Sequence, residues 1–237
     1  MHCNGLAVCY RTRYKKYTKM NYTSTDTEFY SRLDSLLQAE GFSLEQARPQ
    51  LDRYVALVQD WNTRVSLVSA GDAARLWESH LADSLSLAGL IAGAVGKGAA
   101  WLDIGPGAGL PAIPVRILCG PMPLTLCERS VKKSGVLREM LDQLGLDDVR
   151  LEVGEFPLVT PHPEQPVVIT ARAVEKPAVV HKAMHKWMRP KDVFFCQAAE
   201  VTPIIKGGMF HVEPVEDAWT EAGLRRGKLW RVGRGGR

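Results

Sequence analysis

The stretch Trp101-Leu-Asp-Ile-Gly-Pro-Gly-Ala-Gly-Leu-Pro-Ala-Ile-Pro114 constrains the fold of this chain more than any other. Trp101, Leu102 and Ile104 suit a buried strand. Gly105, Gly107 and Gly109 let the backbone turn sharply and approach a ligand that any Cβ would push away. Pro111 and Pro114 fall where a first helical turn tolerates proline, because the amide hydrogens there have no helical partner. The segment reads as strand, glycine turn and helix, with a small molecule bound at the turn.

Three ligand classes use such a turn: nucleoside triphosphates, dinucleotides and S-adenosylmethionine. A triphosphate loop ends in Gly-Lys-Ser/Thr, whereas Gly109 is followed by Leu110 and Pro111, which excludes it. A dinucleotide loop needs G-x-G-x-x-G, and the spacing here is G-x-G-x-G with Asp103 two residues before the first glycine. A carboxylate there repels a pyrophosphate but suits the sulfonium and ammonium groups of S-adenosylmethionine, directly or through water. Glu128, at the end of a second strand-like run Leu124-Thr-Leu-Cys-Glu128, is placed to hold ribose hydroxyls in the same crevice. Dinucleotide enzymes also carry a ribose acid, so an NAD oxidoreductase stays a distant rival.

At 237 residues the chain can bury one sizeable core plus a helical extension. No apolar run approaches the ~18 residues that span a bilayer, and the start lacks a basic leader, so a cytoplasmic protein away from membranes is expected. Five cysteines without a C-x-x-C pair or a His partner at zinc spacing predict reduced, packed thiols and no metal. The net charge of +4 is uneven: residues 1–25 hold five basic side chains and no acid, leaving 25 basic and 26 acidic ones elsewhere. An RNA partner must therefore be argued from local clusters.

Residues 1–25 read as a basic, disordered extension, either wrapping RNA or lying upstream of a start at Met20. Residues 26–96 read as a helical annex. Thr25 and Glu28 form a capping box, a second helix starts near Ser43 or Pro49, and a third runs from Asp72 to Ala88. The stretch Gly89–Gly98 reads as a linker to residues 97–237, where strands at 124–128, 149–153, 166–170 and 193–197 alternate with helices at 130–144 and 177–189. Runs near 209–215 and 228–232 suggest a closing hairpin, and the alternation is an α/β signature. Six basic residues in Arg225–Arg237 read as a phosphate contact or a solvated tail.

Tyr54, Asp60-Trp-Asn62, Ser69, His80-Leu-Ala-Asp-Ser-Leu85, the Gly-Leu-Pro-x-Ile-Pro loop, Glu155-Phe-Pro157 and Ala171-Arg-Ala173 occur in one order. In that order they resemble the RsmG (GidB) family of bacterial 16S rRNA guanine-N7 methyltransferases, over roughly Leu33 to Gln197. The resemblance implies a Rossmann-like class I S-adenosylmethionine-dependent methyltransferase sheet with an N-terminal helical annex. It implies that Gly105, Gly107 and Leu110 line the cofactor, that Glu128 takes the ribose, and that the Val153–Gly154 backbone holds the adenine edge. Arg172 is implied at the active face, against cofactor and substrate; the alternative is a buried ion pair with a strand-end acid. Lys132 and Lys133 stand where the family places a basic pair for rRNA phosphates, or on a solvated helix face. Asn62 and His80 face RNA or steady the loop, and a structural histidine is the plainer reading of His80.

The implied partner is 16S rRNA, within the 30S subunit or an assembly precursor. Guanine N7 carries a lone pair and no proton, so its attack on a sulfonium methyl needs no general base. Departures from the family are Ser66 for its Asn, Gly-Pro-Gly-Ala-Gly for Gly-Thr-Gly-Pro-Gly, Glu152 and Gly154 at positions often basic and acidic, and Cys196-Gln-Ala-Ala-Glu200 for a strand ending in Leu-Lys-Gly. That missing lysine keeps a catalytically impaired binding protein open as a rival, and a small-molecule methyltransferase, with the same cofactor loop and a metabolite under the helical annex, is a second.

Overall fold

Seven strands form one sheet: β1 (Ala100–Ile104), β2 (Leu124–Glu128), β3 (Arg150–Val153), β4 (Val167–Arg172), β5 (Val193–Gln197), β6 (Phe210–Pro214) and β7 (Leu229–Arg234). The computed structural model describes residues 24–172, 177–198 and 210–235. The sheet order is β3-β2-β1-β4-β5-β7-β6. The first five strands run parallel, while β7 is antiparallel to both β5 and β6. Strand order reverses between β1 and β4, and the carboxyl ends flanking such a switch point are where Rossmann-like sheets bind ligands. The expected hairpin is present as β6 and β7, so the α/β reading holds.

Alternation along the strands serves two cores. Trp101, Leu124, Leu126, Val168 and Phe195 face the N-terminal helices, and Leu102, Ile104, Ile169, Ala171 and Phe194 pack with Phe156, Met184 and Met188 on the other side. Burial on both faces explains why these strands read as unbroken apolar runs.

The N-terminal helices are α1 (Ser24–Ala39), α2 (Leu44–Asn62), α3 (Ala70–Ala74), a π-helical turn (Trp77–Leu81), α4 (Ala82–Leu85) and α5 (Ala88–Val95). The helix α1 includes Thr25 and Glu28, and the side chain of Thr25, on which the expected capping box turns, lies outside the described residues. Ser43 is the cap of α2, its Oγ accepting from the Gln46 amide, and Pro49 lies inside the helix.

Two further expectations are corrected. The single helix from Asp72 to Ala88 is broken, because Arg75 leaves helical geometry after α3 and the π turn inserts a wider loop of backbone before α4. The linker Gly89–Gly98 is largely the helix α5, whose apolar run buries Ile91. A carboxylate from outside completes that helix: the Gly89 N–H donates to Glu40 Oε2 at 3.1 Å, and a Cβ at Gly89 would lie 2.7 Å from the same oxygen.

The remaining helices are α6 (Ala112–Cys119), α7 (Val131–Leu144), α8 (Pro177–Trp187) and α9 (Ala218–Glu221). Cys119 at a helix end and Cys127 and Cys196 in strands are free thiols; burial pushes Cys127 up to about 11 and the other two to about 12, so they stay protonated near neutrality. Cys3, Cys9 and residues 1–23 of the basic extension lie outside the described residues, while Ser24 and Thr25 belong to α1. No helix among the described residues is long and apolar enough to cross a membrane.

Among the described residues, the arginines of the basic C-terminal segment are bonded to the rest of the fold. Arg231 pairs with Glu213, Arg234 donates to the Met188 carbonyl, and Arg226 donates to the Ser79 carbonyl. The Arg225 side chain is fully buried, bidentate to Asp217 at 2.6 and 2.8 Å and bonded to the Ser86 hydroxyl and carbonyl. It fastens the closing hairpin to the turn between α4 and α5. Arg225→Met should therefore cost about 3 kcal/mol by stranding these acceptors, read as a fall in the urea midpoint without a change in slope.

Candidate active site at the carboxyl edge of the sheet

The glycine turn leaves β1 with three residues in left-handed backbone: Gly105, Gly107 and Gly109 have φ of +68°, +58° and +94°. The positive φ favours glycine at all three positions, and their surroundings differ. The Gly105 N–H extends the sheet by donating to the Cys127 carbonyl at 2.9 Å. A Cβ on Gly109 would lie 2.4 Å from Ile113 Cδ1, so this residue permits close packing of α6. A Cβ on Gly107 would meet nothing within 4 Å; its side faces open space.

The turn is held from two directions. Glu128, buried at the end of β2, accepts from the Gly107 N–H at 3.1 Å through Oε2 and from the Ser130 N–H at 2.9 Å through Oε1. From α2, the buried Tyr54 hydroxyl donates to the Ala108 carbonyl at 3.1 Å, and burial raises its pKa well above the phenol range, so it remains a donor. Leu110 is buried beyond the turn. At the end of β3, the Gly154 N–H donates to the Glu128 carbonyl, and Val153 is part exposed.

Asp103 is fully buried. Its Oδ1 accepts from the Thr170 hydroxyl at 2.6 Å, and that hydroxyl accepts from the Trp101 indole at 3.0 Å. Its Oδ2 has no hydrogen-bond partner. Burial raises this carboxyl to about 8; the Thr170 bond opposes the rise, Glu128 adds to it and Arg172 offsets part.

Arg172 ends β4 and turns to the N-terminal helices. Its Nη2 lies 2.9 Å from Asp83 Oδ2 and 2.7 Å from His80 Nδ1, while Nη1 reaches the Ser84 hydroxyl and the His80 carbonyl at 3.3 and 3.4 Å. A guanidinium only donates, so His80 Nδ1 is the acceptor and its proton sits on Nε2, facing Asp72 at 3.6 Å. Burial, then the Arg172 charge, lowers His80 to about 4, so it is neutral at physiological pH. Arg172 does form a buried pair, though with an acid of α4 instead of a strand end.

Asp103, Gly105, Gly107, Glu128, Val153, Gly154 and Arg172 thus share the carboxyl edge of the sheet. Lys132 is exposed and Lys133 half-buried in the first turn of α7, which Ser130 caps. Asn62 is spent on its own loop, its Oδ1 accepting from the Leu67 and Val68 amides. Sequence reasoning missed Thr170, Ser130 and Gln197, and gave Trp101 only a strand role; a buried indole needs an acceptor, and that was the available signal. Tyr54 and Asp83 stood in the motifs without assigned contacts. A cavity of about 310 Å³ lined by Ala100, Pro123, Thr160 and Trp187 lies at the amino ends of β1 and β2, away from this edge. Among the described residues, no group of His, Cys, Asp and Glu could hold a metal ion.

The raised pKa of Asp103 has a signed consequence. The stability of its protonated form is fully present below the ordinary value of 3.8 and is lost as pH rises through about 8. Asp103→Asn should remove that component, flattening the decline of the urea midpoint across this range; equal declines in both proteins would refute the assignment.

Residues 47–202 match the family model described as rRNA small subunit methyltransferase G, GidB. The chain is 32% identical over 158 residues to Ribosomal RNA small subunit methyltransferase G of Streptococcus sanguinis, covering 64% of each. It is 35% identical over 143 residues to the protein of that name from Neisseria meningitidis, covering 60% of this chain and 66% of that one. The match thus spans less than two thirds of these relatives' lengths. The fold is shared with an O-methyltransferase from Bacillus cereus solved in complex with SAH, at TM-score 0.52 and 14% identity, covering 77% of this chain and 91% of that one. A Rossmann-like sheet with this glycine turn, and a family model over most of its length, lead to one conclusion: the chain belongs to the rRNA small subunit methyltransferase G (GidB) family.

Proposed function

We propose that this chain transfers a methyl group from S-adenosylmethionine to N7 of a guanine in 16S rRNA, in the 30S subunit or an assembly precursor in the cytoplasm. The observation that carries the reading is the buried, half-satisfied carboxyl of Asp103 beside Glu128, at a turn where Gly107 borders open space. An acidic, partly unsatisfied edge suits a cationic donor and opposes a pyrophosphate. Membership of the family supports rRNA as the acceptor.

When bound, S-adenosylmethionine supplies the methyl group as a sulfonium. Gly105, Gly107 and Leu110 would border it, Glu128 has lone pairs left for ribose hydroxyls, and the Val153–Gly154 backbone would flank the adenine. A nearby cation lowers the pKa of Asp103, so donor binding would draw its proton off and strengthen the attraction. Arg172 stays charged and serves as a fixed cation for a phosphate or the guanine O6 edge; it cannot exchange a proton. The acceptor nitrogen needs no base, so catalysis is alignment of nitrogen and methyl within about 3–3.5 Å, which supplies several kcal/mol of prepaid entropy. Lys132 and Lys133 sit at the positive end of the α7 dipole, an arrangement that an RNA phosphate relieves.

Labelled S-adenosylmethionine incubated with unmodified 30S subunits should label a guanine at N7; labelling of free metabolites and no RNA would refute the proposal. Gly107→Ala should fold, with a backbone cost of about 1–2 kcal/mol, yet weaken donor binding at least about tenfold by filling the space the ligand needs; unchanged affinity by calorimetry would remove the turn from the site. Lys132→Ala/Lys133→Ala should lower the slope of log affinity for RNA against log salt by about 1.5, and an unchanged slope would return both lysines to a solvated face.

A further inference from the structure

Arg172 has two acids within electrical reach, and the structure gives it to only one. Thr170 and Arg172 are two positions apart on β4, so both side chains leave the same face of the sheet. Thr170 is the register partner of Asp103 and bonds its carboxyl, so the guanidinium starts from a backbone position next to that acid. Its charge is felt by both Asp103 and Tyr54. Asp103 nevertheless keeps Oδ2 open, without a hydrogen bond from Arg172 or any other group.

Asp83 takes the guanidinium instead. It is almost wholly buried, and three separate segments hold its carboxylate: Arg172 at 2.9 Å from β4, the Gln197 carboxamide at 2.9 Å from the end of β5, and the Arg226 amide at 2.7 Å from the loop before β7. The Gln197 and Arg226 bonds occupy Oδ1, and Oδ2, which accepts no hydrogen bond, faces the arginine as an ion pair at 2.9 Å. His80 and Ser84 complete the cradle by accepting from the remaining guanidinium hydrogens. A buried ion pair roughly breaks even on stability against apolar packing, so stability alone is a weak reason for this one.

We propose that Asp83 is a positioning residue: it holds Arg172 toward the N-terminal helices and so prevents its pairing with Asp103, whose second oxygen stays open for the cationic donor. Gln197 and the Arg226 amide serve the same end by keeping Asp83 from turning. The proposal deepens the methyltransferase reading and rests on it for the identity of the donor.

The test is a double-mutant cycle on S-adenosylmethionine affinity, measured by calorimetry. Asp83→Asn releases Arg172 onto Asp103 and should weaken donor binding about tenfold or more. Asp83→Asn combined with Arg172→Gln removes the competitor, and binding should return to within about threefold of Arg172→Gln alone. A double variant as weak as Asp83→Asn, or weaker, overturns the proposal, because a merely structural loss is not relieved by a second one. Should Asp83→Asn fail to fold, Gln197→Ala in the same two backgrounds carries the cycle, with a smaller loss and the same rescue. A second readout is independent of the donor. The groups acting on Asp103 are Glu128, Tyr54, Cys127, Thr170 and Arg172, and Asp83→Asn frees Arg172 toward it, so the pH-dependent loss of stability from Asp103 should shift to lower pH in Asp83→Asn than in Asp83→Asn/Arg172→Gln, both of which lack the Asp83 carboxyl. Absence of donor binding by the unmodified chain would fail the methyltransferase reading; an unshifted pH profile would fail the positioning role.

Discussion

A carboxyl group buried where β1 ends is the constraint around which this edge of the protein is arranged. Asp103 is cut off from water, and an ionised carboxylate in such a place costs several kcal/mol unless partners are supplied. Thr170 supplies one bond, itself steadied by the Trp101 indole, and the other oxygen is left without one. The result is a carboxyl raised to about 8, protonated for the most part near neutrality. Such a group is a poor contributor to stability at neutral pH and a good place for a cation, which is the kind of local conflict that functional sites tolerate.

The N-terminal helices are part of the same device. Their apolar side chains share a core with Trp101, Leu126 and Val168 of the sheet, so they cannot shift without disturbing the strands. Tyr54 reaches the glycine turn from α2, Arg172 is received by α4 and the π turn, and Arg225 ties the closing hairpin back to Ser86. The π turn carries His80, whose carbonyl and Nδ1 both accept from Arg172.

Much of the chemistry was legible locally. A glycine turn after a strand, acids at two strand ends and a Ser43 cap each act over a few residues, where backbone sterics and short-range hydrogen bonding decide the outcome. Expectations failed where a distant partner intervened. Gly89 and its neighbours read as a linker on glycine content, but Glu40, forty-nine positions away, supplies the acceptor that starts α5. The helix expected from Asp72 to Ala88 is interrupted where Arg172 and Arg226 draw its backbone carbonyls and acids toward the sheet. The C-terminal arginines read as a phosphate contact or a solvated tail because the acids and carbonyls that Arg225, Arg226, Arg231 and Arg234 bond lie elsewhere in the chain.

The amino-acid sequence by itself determined the α/β alternation, the glycine turn and the acidic ends of β1 and β2, since periodicity and turn chemistry are properties of neighbouring residues. Only the tertiary structure decided which acid Arg172 pairs with, which nitrogen of His80 accepts, and that Asp103 is buried enough to hold its proton. Those outcomes depend on burial and on partners up to 143 positions apart, such as Asp83 and the Arg226 amide, and both desolvation and hydrogen bonding are settled by distance in space.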